Sequence, residues 1–309
     1  MQSNKEVIKK NKSWKIWWHL LRPHTLTASF VPVILGSVLA LPQNHFHWLL
    51  FIAMFIASTL IQAATNMFNE YFDYKRGLDT KESVGIGGTI VRDGIAPKTV
   101  LYLGYMFCMI AILIGGYICL STSLGLAFVG AICMMAGYFY TGGPYPIAYT
   151  AFGELVAGLF MGLVLVLISF YVQTGSITLT SILISIPIAI LCGGILMANN
   201  IRDLDGDKEN GRRTLAILLG RKKANIFLMS MFIVSYLWVI GLSIFNVETF
   251  WILLVFASLP KAYRAIKLFT EKTKSIQLMP AMKATAQMHT HFGLFLTLGL
   301  ILNYTLHHF

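Results

Sequence analysis

The sequence has 309 residues, of which 56% are hydrophobic and only 12% are charged. Soluble domains carry about twice that charged fraction, and the mean hydropathy is +0.69. The composition therefore excludes an ordinary soluble protein and predicts an all-α polytopic membrane protein. The net charge of +11 comes from Lys and Arg on one side of the predicted membrane. This one-sided charge favours a field at a membrane surface over a nucleic-acid-binding face.

Nine apolar runs of roughly 17 to 23 residues follow one another, and each matches the thickness of a bilayer core crossed by a helix. They cover residues 25–42, 48–68, 99–120, 122–140, 151–173, 178–199, 225–245, 247–263 and 288–305. The basic, tryptophan-containing segment 1–24 is typical of a helix at the headgroup level, although an ordinary basic anchor explains it equally well. No small-residue cleavage site accompanies the first run, so no removable signal peptide is expected. We expect one membrane-embedded domain over residues 1–309.

The basic residues predict the topology. All 24 Lys and Arg residues lie in segments 1–22, 69–98, 200–224 and 261–283, and the alternate connections carry none. Cytoplasmic loops retain positive charge, so nine helices with the N-terminus inside and the C-terminus outside follow. An even number of helices would place charged loops on both sides. The prediction is a multi-pass protein of the cell membrane whose basic loops face the cytoplasm.

Acidic residues are scarce, 13 in all, and nine of them fall in two of these basic segments. The first cluster follows the second apolar run. Asn69 and Asp73 are four residues apart, which places both on one face of a helix. An unbroken helix would turn Asp79 away, so Gly77 is predicted to end the helix and let Asp79 fold back.

The second acidic cluster follows the sixth apolar run. Asn199, Asp203 and Asp207 are spaced by four residues, so their oxygens line one helical stripe, whereas Asp205 points elsewhere. Both clusters share the pattern Asn-x-x-x-Asp, which is consistent with an internal duplication.

Two carboxylate-bearing helix ends that face each other suit magnesium and a diphosphate. Mg²⁺ prefers a few carboxylate and amide oxygens together with water and substrate phosphates. Basic side chains could bind the remaining phosphate oxygens. The candidates are Arg22, Lys75, Arg92, Arg202 and Arg212. The alternative is that each cluster is a solvated loop that balances a basic surface, but two clusters with amides in register favour the metal site.

The connection between the fourth and fifth runs carries no Lys or Arg, yet helix parity places it on the basic side. Its glycines and prolines predict a shaped turn in the sequence Tyr140-Thr141-Gly142-Gly143-Pro144-Tyr145-Pro146. Facing the same cavity as the clusters, a tyrosine here would stabilise a developing allylic carbocation. Tyr145 is at least as well explained as an interfacial residue of an aromatic belt.

With these residues in view, the chain resembles the UbiA superfamily of membrane prenyltransferases over nearly its whole length. Two acidic motifs on one side of the membrane are a specific signal of that family. The longer spacing from Asp73 to Asp79 is similar to the branch that acts on 1,4-dihydroxy-2-naphthoate. Relatives acting on 4-hydroxybenzoate often carry a lysine just after the tyrosine of the fourth loop, where this chain has glycines. Further matches are Arg22-Pro23-His24-Thr25-Leu26, Gly87-Gly88-Thr89-Ile90-Val91-Arg92-Asp93-Gly94, Tyr140-Thr141-Gly142-Gly143-Pro144 and Asn199-Asn200-Ile201-Arg202-Asp203.

The resemblance implies nine helices around a central cavity that is capped on the cytoplasmic side and open laterally to lipid. It assigns magnesium and the diphosphate to Asn69, Asp73, Asp79, Asn199, Asp203 and Asp207. The candidate catalytic residues are Asp73, Asp203 and Tyr140. The implied partners are a polyprenyl diphosphate, 1,4-dihydroxy-2-naphthoate and membrane lipid, with no nucleic acid. The implied reaction is prenylation of the naphthoate ring with loss of carbon dioxide, giving demethylmenaquinone in menaquinone biosynthesis.

Two rival functions stay open from the sequence. The first is prenylation of another aromatic acceptor, such as 4-hydroxybenzoate or haem, which an assay panel with one prenyl diphosphate would separate. The second is cation-coupled transport, because transporters also coordinate ions with carboxylates inside the membrane. A transporter predicts acids near mid-helix, whereas these acids lie at helix ends on one face.

Overall fold

The computed structural model describes residues 14–43, 46–79 and 88–308, and within these ranges the chain is helical without strands. The α-helices are α1 (14–21), α2 (Pro23–Val38), α3 (Trp48–Lys75), α4 (Thr89–Asp93), α5 (Pro97–Ser121), α6 (Gly125–Thr141), α7 (Gly153–Ala157), α8 (Leu165–Thr174), α9 (Leu179–Glu209), α10 (Leu215–Leu219), α11 (Arg221–Ile244), α12 (Leu259–Glu271) and α13 (Ser275–His308). A π-helical stretch, Gly158–Val164, joins α7 to α8. Short 3₁₀ segments lie at Leu41–Gln43, Ile147–Tyr149 and Phe250–Ser258. The predicted interfacial segment is thus described only from residue 14 onward.

Six segments of the described chain are long and apolar enough to cross a membrane, judged by length and composition. They are Thr25–Gln43, Trp48–Lys75, Pro97–Ser121, Gly153–Thr174, Leu179–Glu209 and Arg221–Ile244. Helix α6 is apolar but shorter. All nine predicted apolar runs coincide with helical segments, so the all-helical, multi-span character of the prediction is confirmed.

Two helices continue well past their apolar runs. Helix α3 extends to Lys75 and α9 to Glu209, although the runs end at residues 68 and 199. The added turns contain residues of the acidic clusters. Acidic residues are compatible with a helix where their side chains face a cavity or solvent. Apart from Asp79, which follows the end of α3, the clusters are therefore held on helices instead of on loops.

Helix α3 ends in a left-handed glycine turn, as the sequence predicts. Gly77 has φ +72°, the N–H of Leu78 donates to the carbonyl of Asp73 at 2.9 Å, and the N–H of Gly77 donates to Tyr74 at 3.0 Å. This is the pair of bonds that closes a Schellman motif. The turn reverses the chain and brings Asp79 back toward the end of α3.

Helix α9 ends in the same way. Gly211 has φ +75°, the N–H of Arg212 donates to the carbonyl of Asp207 at 3.0 Å, and that of Gly211 donates to Lys208 at 3.1 Å. Asp207 therefore occupies the position in α9 that Asp73 occupies in α3. The shared Asn-x-x-x-Asp pattern instead pairs Asp73 with Asp203, which lies one helical turn before Asp207.

The main core lies where α2, α9 and α13 pack together. Leu35, Ile188 and Phe292 come from these three helices, are fully buried and belong to one apolar cluster. In contact with water, the burial of such side chains is the main interaction that stabilises a pair of packed helices. Within lipid, tight van der Waals packing between the helices takes that role. The packed core fixes the direction of α9, and hence the position of the second acidic cluster.

Candidate active site

A cavity of about 880 Å³ lies among α2, α3, α5, α6, α9 and the α7–α8 segment. Most of its wall is apolar and comes from residues such as Ile112, Leu120, Leu124, Ala127 and Met134. One end is polar. The polar end is lined by Arg22, Asn69, Asp73, Asp79, Tyr140, Asn199, Arg202, Asp203 and Arg212. The cavity thus joins a long apolar compartment to a compact charged one.

The first acidic cluster contributes Asn69, Asp73 and Asp79 to the cavity wall. Asn69 accepts a hydrogen bond from Oγ1 of Thr141 at 2.6 Å through its Oδ1, which ties α3 to the end of α6. Asp73 accepts from Nη2 of Arg212 at 2.8 Å. Asp79 lines the same cavity, because the turn at Gly77 folds it back as predicted.

The second cluster lies opposite. Asp203 accepts from Nε of Arg202 at 2.7 Å and from its Nη2 at 2.5 Å, a two-pronged contact between neighbouring residues. Oγ of Ser275 donates to Asp203 at 3.4 Å. Asp207 is buried and lies 3.1 Å from Nη1 of Arg212. Asn199 and Asp203 lie in the cavity wall, whereas Asp207 lies outside it and reaches the site through its contact with Arg212.

Arg212 joins the two clusters. Its two terminal nitrogens contact Asp73 of α3 and Asp207 of α9, at 2.8 Å and 3.1 Å. Such charge-assisted bonds are stronger than neutral ones. The predicted meeting of the two acidic helix ends is therefore confirmed, with a guanidinium between them.

Two of the five predicted diphosphate-binding cations lie elsewhere. Lys75 is exposed and, two residues after Asp73, points away from the cavity face of α3. Arg92 is exposed and pairs with Asp93 at 2.9 Å. Neither belongs to the cavity wall, whereas Arg22, Arg202 and Arg212 do line it. Binding of the diphosphate by Lys75 and Arg92 stays a prediction that this geometry does not support.

The remaining acid of the second cluster behaves as its spacing predicts. Asp205 lies outside the cavity wall, its side chain is 74% exposed, and it pairs with Arg221 at 2.8 Å. It lies two positions after Asp203, and a helix turns a residue at that spacing to a different face. Asp205 is therefore a matched control for experiments on the cavity carboxylates.

The fourth loop supplies one side chain to the cavity. Tyr140, at the end of α6, lines the wall, as predicted. Arg76 holds this helix end by donating to the carbonyls of Thr141 at 2.5 Å and Gly143 at 2.9 Å. Tyr145 is 91% exposed and outside the wall, in line with its interpretation as an interfacial residue.

The sequence matches the UbiA prenyltransferase family over residues 29–285. The chain belongs to this family. It is 55% identical over 295 residues to the 1,4-dihydroxy-2-naphthoate octaprenyltransferase of Bacillus subtilis (strain 168), covering 96% of this chain and 95% of the relative. It is 31% identical to the UbiA prenyltransferase domain-containing protein 1 homolog of Drosophila melanogaster, covering 89% of this chain and 76% of that one.

The fold agrees with solved structures of the UbiA family. A UbiA homolog from Archaeoglobus fulgidus bound to GPP and Mg²⁺ superposes with a TM-score of 0.63 and 16% sequence identity, covering 91% of this chain and 99% of that chain. An apo UbiA homolog from Aeropyrum pernix K1 gives a TM-score of 0.58. At this level of identity the likeness establishes the fold, and the site must be judged from the residues of this chain.

The residues of this UbiA-family site fit a magnesium ion in charge and donor type. Among the described residues, no three His, Cys, Asp or Glu side chains are grouped closely enough to hold a metal by themselves. Mg²⁺ is commonly held by one or two carboxylates together with substrate phosphates. The arrangement suits that mode, because each helix end offers separate carboxylates around a space lined by Arg22, Arg202 and Arg212.

The raised pKa of Asp79 indicates that additional positive charge at the polar end of the cavity would be favourable. Burial, and then the nearby charge of Asp73, raise the pKa of Asp79 from 3.8 to about 6, against the opposing effect of Arg22. The charges of Arg22 and Arg212 thus offset the desolvation of this carboxylate only in part. A divalent cation beside it would stabilise the ionised form.

A pH dependence follows from this raised pKa. Below about pH 6 Asp79 is protonated and loses the charge that attracts a cation. The magnesium concentration giving half-maximal activity should therefore rise about tenfold between pH 7 and pH 5. Titrations of activity with Mg²⁺ at several pH values measure this. An Asp79→Asn variant should need more magnesium than the wild type at pH 7 and should show a smaller rise between pH 7 and pH 5. A rise as large as that of the wild type would contradict the assignment.

Glu70 is a buried residue of the site for which sequence reasoning found no role. Its side chain is fully buried, and its Oε1 accepts from Oγ1 of Thr89 and, at 3.0 Å, from the N–H of Ile90. Its Oε2 lies 3.9 Å from Nη2 of Arg22. Glu70 thus connects α3, the start of α4 and an arginine of the cavity wall. The only signal in the sequence was an acid next to Asn69, about 100° away around the helix axis.

Proposed function

We propose that this UbiA-family protein transfers a polyprenyl chain from its diphosphate to 1,4-dihydroxy-2-naphthoate, with loss of carbon dioxide, and thereby forms demethylmenaquinone in its quinol form. The observation that carries the proposal is the meeting of two acidic helix ends, through Arg212, at the polar end of an otherwise apolar cavity. The apolar part suits a prenyl tail and the polar part suits a diphosphate. The 55% identity to the Bacillus subtilis enzyme supports the choice of acceptor.

In the proposed complex the diphosphate lies at the polar end. The magnesium and diphosphate ligands are Asn69, Asp73, Asp79, Asn199, Asp203 and Asp207. Arg22, Arg202 and Arg212 donate to the phosphate oxygens, and Arg212 exchanges its carboxylate partners for phosphate. Magnesium neutralises charge on the diphosphate when bound. Lys75 and Arg92 have no part in this proposal, because both lie outside the cavity wall. Asp207 also lies outside the wall, but it is kept because it pairs with the wall residue Arg212.

The chemical step is an electrophilic substitution on the aromatic ring. The bond between the allylic carbon and the diphosphate oxygen breaks, a ring carbon of the naphthoate forms the new C–C bond, and the carboxyl group leaves as carbon dioxide. Tyr140 presents its ring and hydroxyl to the cavity, where an aromatic face stabilises a developing allylic cation. The apolar wall keeps water from that cation.

A product assay tests the proposed function. The purified protein in lipid or detergent is supplied with magnesium, a long prenyl diphosphate and one acceptor at a time: 1,4-dihydroxy-2-naphthoate, 4-hydroxybenzoate or haem. Mass spectrometry should show a decarboxylated prenyl naphthoquinol from the first acceptor and no prenylated product from the others. Prenylation of either other acceptor at a comparable rate would contradict the proposed acceptor. Absence of any prenyl transfer, with cation flux across vesicles, would favour the transporter.

The proposed membrane arrangement has nine spanning helices, with the N-terminus and active site at the cytoplasmic face and the C-terminus outside. It is supported by the confinement of all 24 Lys and Arg residues to alternate connections. Exposed Trp14 and Trp18 on α1 suit an interfacial helix within segment 1–24. The whole chain then forms one membrane-embedded prenyltransferase domain.

Reporter fusions test this topology. A reporter placed after Phe309 should be exported, whereas one inserted in the 200–224 loop should stay in the cytoplasm, because translocated connections lack positive charge. Alkaline phosphatase and green fluorescent protein fusions measure the two locations. If both fusions reported the same compartment, the odd number of spans would be wrong.

A further inference from the structure

Tyr149 lies between two arginines beside the acidic helix ends. The centre of its ring lies 4.5 Å from the guanidinium carbon of Arg212 and 5.2 Å from the guanidinium carbon of Arg76. Both distances are within the range of an attractive cation–π interaction. Tyr149 closes the 3₁₀ segment Ile147–Tyr149, outside every motif that the sequence singles out.

The Arg76 contact is rigid. Arg76 donates to two carbonyls, those of Thr141 and Gly143, and its guanidinium also lies 5.5 Å from the ring of Phe72. A guanidinium with two carbonyl acceptors and an aromatic neighbour has little rotational freedom. Arg76 therefore gives the Tyr149 ring a fixed support.

The Arg212 contact leads directly to the site. Arg212 is the residue that bridges Asp73 and Asp207, and the N–H of the next residue, Arg213, donates to the carbonyl of Tyr149 at 2.9 Å. Both the ring and the backbone of Tyr149 thus hold the segment that follows α9. If Asp73 and Asp207 bind a cation instead of Arg212, the contact with the Tyr149 ring still holds the Arg212 guanidinium in place.

We propose that Tyr149 is a positioning residue for diphosphate binding, whose ring holds Arg212 between the two acidic helix ends. This inference rests on the proposed prenyl transfer and deepens it. Tyr149 does not belong to the cavity wall, so it acts through Arg212. The buried hydroxyl of Tyr149 has no hydrogen-bond partner among the described residues, so the ring is the part that holds Arg212.

Matched variants test the inference. Tyr149→Leu removes the ring, Tyr149→Phe keeps it, and Tyr145→Leu makes the same change at an exposed tyrosine of the same loop. The dissociation constant of a prenyl thiolodiphosphate, which binds but ionises very slowly, is measured with Mg²⁺ present. Two cation–π contacts predict about tenfold weaker binding for Tyr149→Leu and wild-type binding for the other two. The KM for prenyl diphosphate should rise in parallel, with a smaller change in KM for the acceptor.

A double-mutant cycle shows whether Tyr149 acts through Arg212. In an Arg212→Lys background the flat guanidinium is gone, so adding Tyr149→Leu should weaken analogue binding less than twofold further. Thermal unfolding midpoints in detergent identify any variant that has lost its fold. Additive losses in the cycle would overturn the inference.

The remaining outcomes are also decisive. Equal losses in Tyr149→Phe and Tyr149→Leu would assign the effect to the hydroxyl, and equal losses in Tyr145→Leu and Tyr149→Leu would assign it to the loop as a whole. Either result overturns the inference, as does wild-type binding in a folded Tyr149→Leu. Failure of the wild-type protein itself to transfer a prenyl chain would instead overturn the proposed function.

Discussion

The Asp73→Asn variant is expected to transfer prenyl groups on the order of a hundredfold more slowly than the wild-type protein, a loss of roughly 3 kcal/mol or more in the transition state. The amide is nearly isosteric with the carboxylate, so the end of α3 and its turn at Gly77 should persist. The variant loses an anionic oxygen at the point where Asp73 meets Arg212. Single-turnover rates with saturating magnesium and prenyl diphosphate measure the effect.

Asp203→Asn is expected to lose a similar amount, because Asp203 faces the same polar end from α9. Asp205→Asn is the matched control, since Asp205 is exposed, pairs with Arg221 and lies outside the cavity wall. It should keep activity within about threefold of wild type, as surface changes away from a site usually do. Equal losses in all three variants would refute the assignment by helix face. Wild-type rates in folded Asp73→Asn would remove the basis of the diphosphate site.

Removal of divalent metal is expected to abolish turnover. Without a cation, the diphosphate would have to leave while surrounded by the carboxylates of Asp73, Asp79, Asp203 and Asp207. Three wall arginines do not offset both the diphosphate and these acids. Activity should disappear on dialysis against a chelator and return on addition of Mg²⁺. Full turnover in metal-free buffer would contradict the magnesium requirement.

Hydropathy and helical spacing predicted much of this architecture. Apolar runs located the helices because a membrane-spanning backbone must satisfy its own hydrogen bonds. The four-residue spacing of Asn199, Asp203 and Asp207 predicted one face because α9 continues unbroken through them. The αL turn at Gly77 was predictable for a similar local reason, since glycine alone accepts that conformation without strain.

Contacts between distant segments were not predictable. Arg76, Tyr149 and Glu70 form no periodic pattern. Apart from the contact of Arg76 with Phe72, the partners described above lie 19 or more residues away along the chain. The sequence did not show that Lys75 and Arg92 lie outside the cavity wall, because charge sign and proximity to a motif do not specify a helix face. The nearest sequence signal for Glu70 was its position beside Asn69. Helix periodicity gives the relative directions of the two side chains but not the residues that Glu70 contacts.

The ends of α3 and α9 have one more electrostatic consequence. Both helices point their carboxyl-terminal ends at the polar end of the cavity, and the helix macrodipole places about half a negative charge at each such end. Phosphate sites on other folds commonly use the opposite, amino-terminal end of a helix. A free diphosphate anion therefore meets a repulsive field here, while a cation meets an attractive one. The direction of the two helices favours uptake of diphosphate together with its metal over uptake of the bare anion.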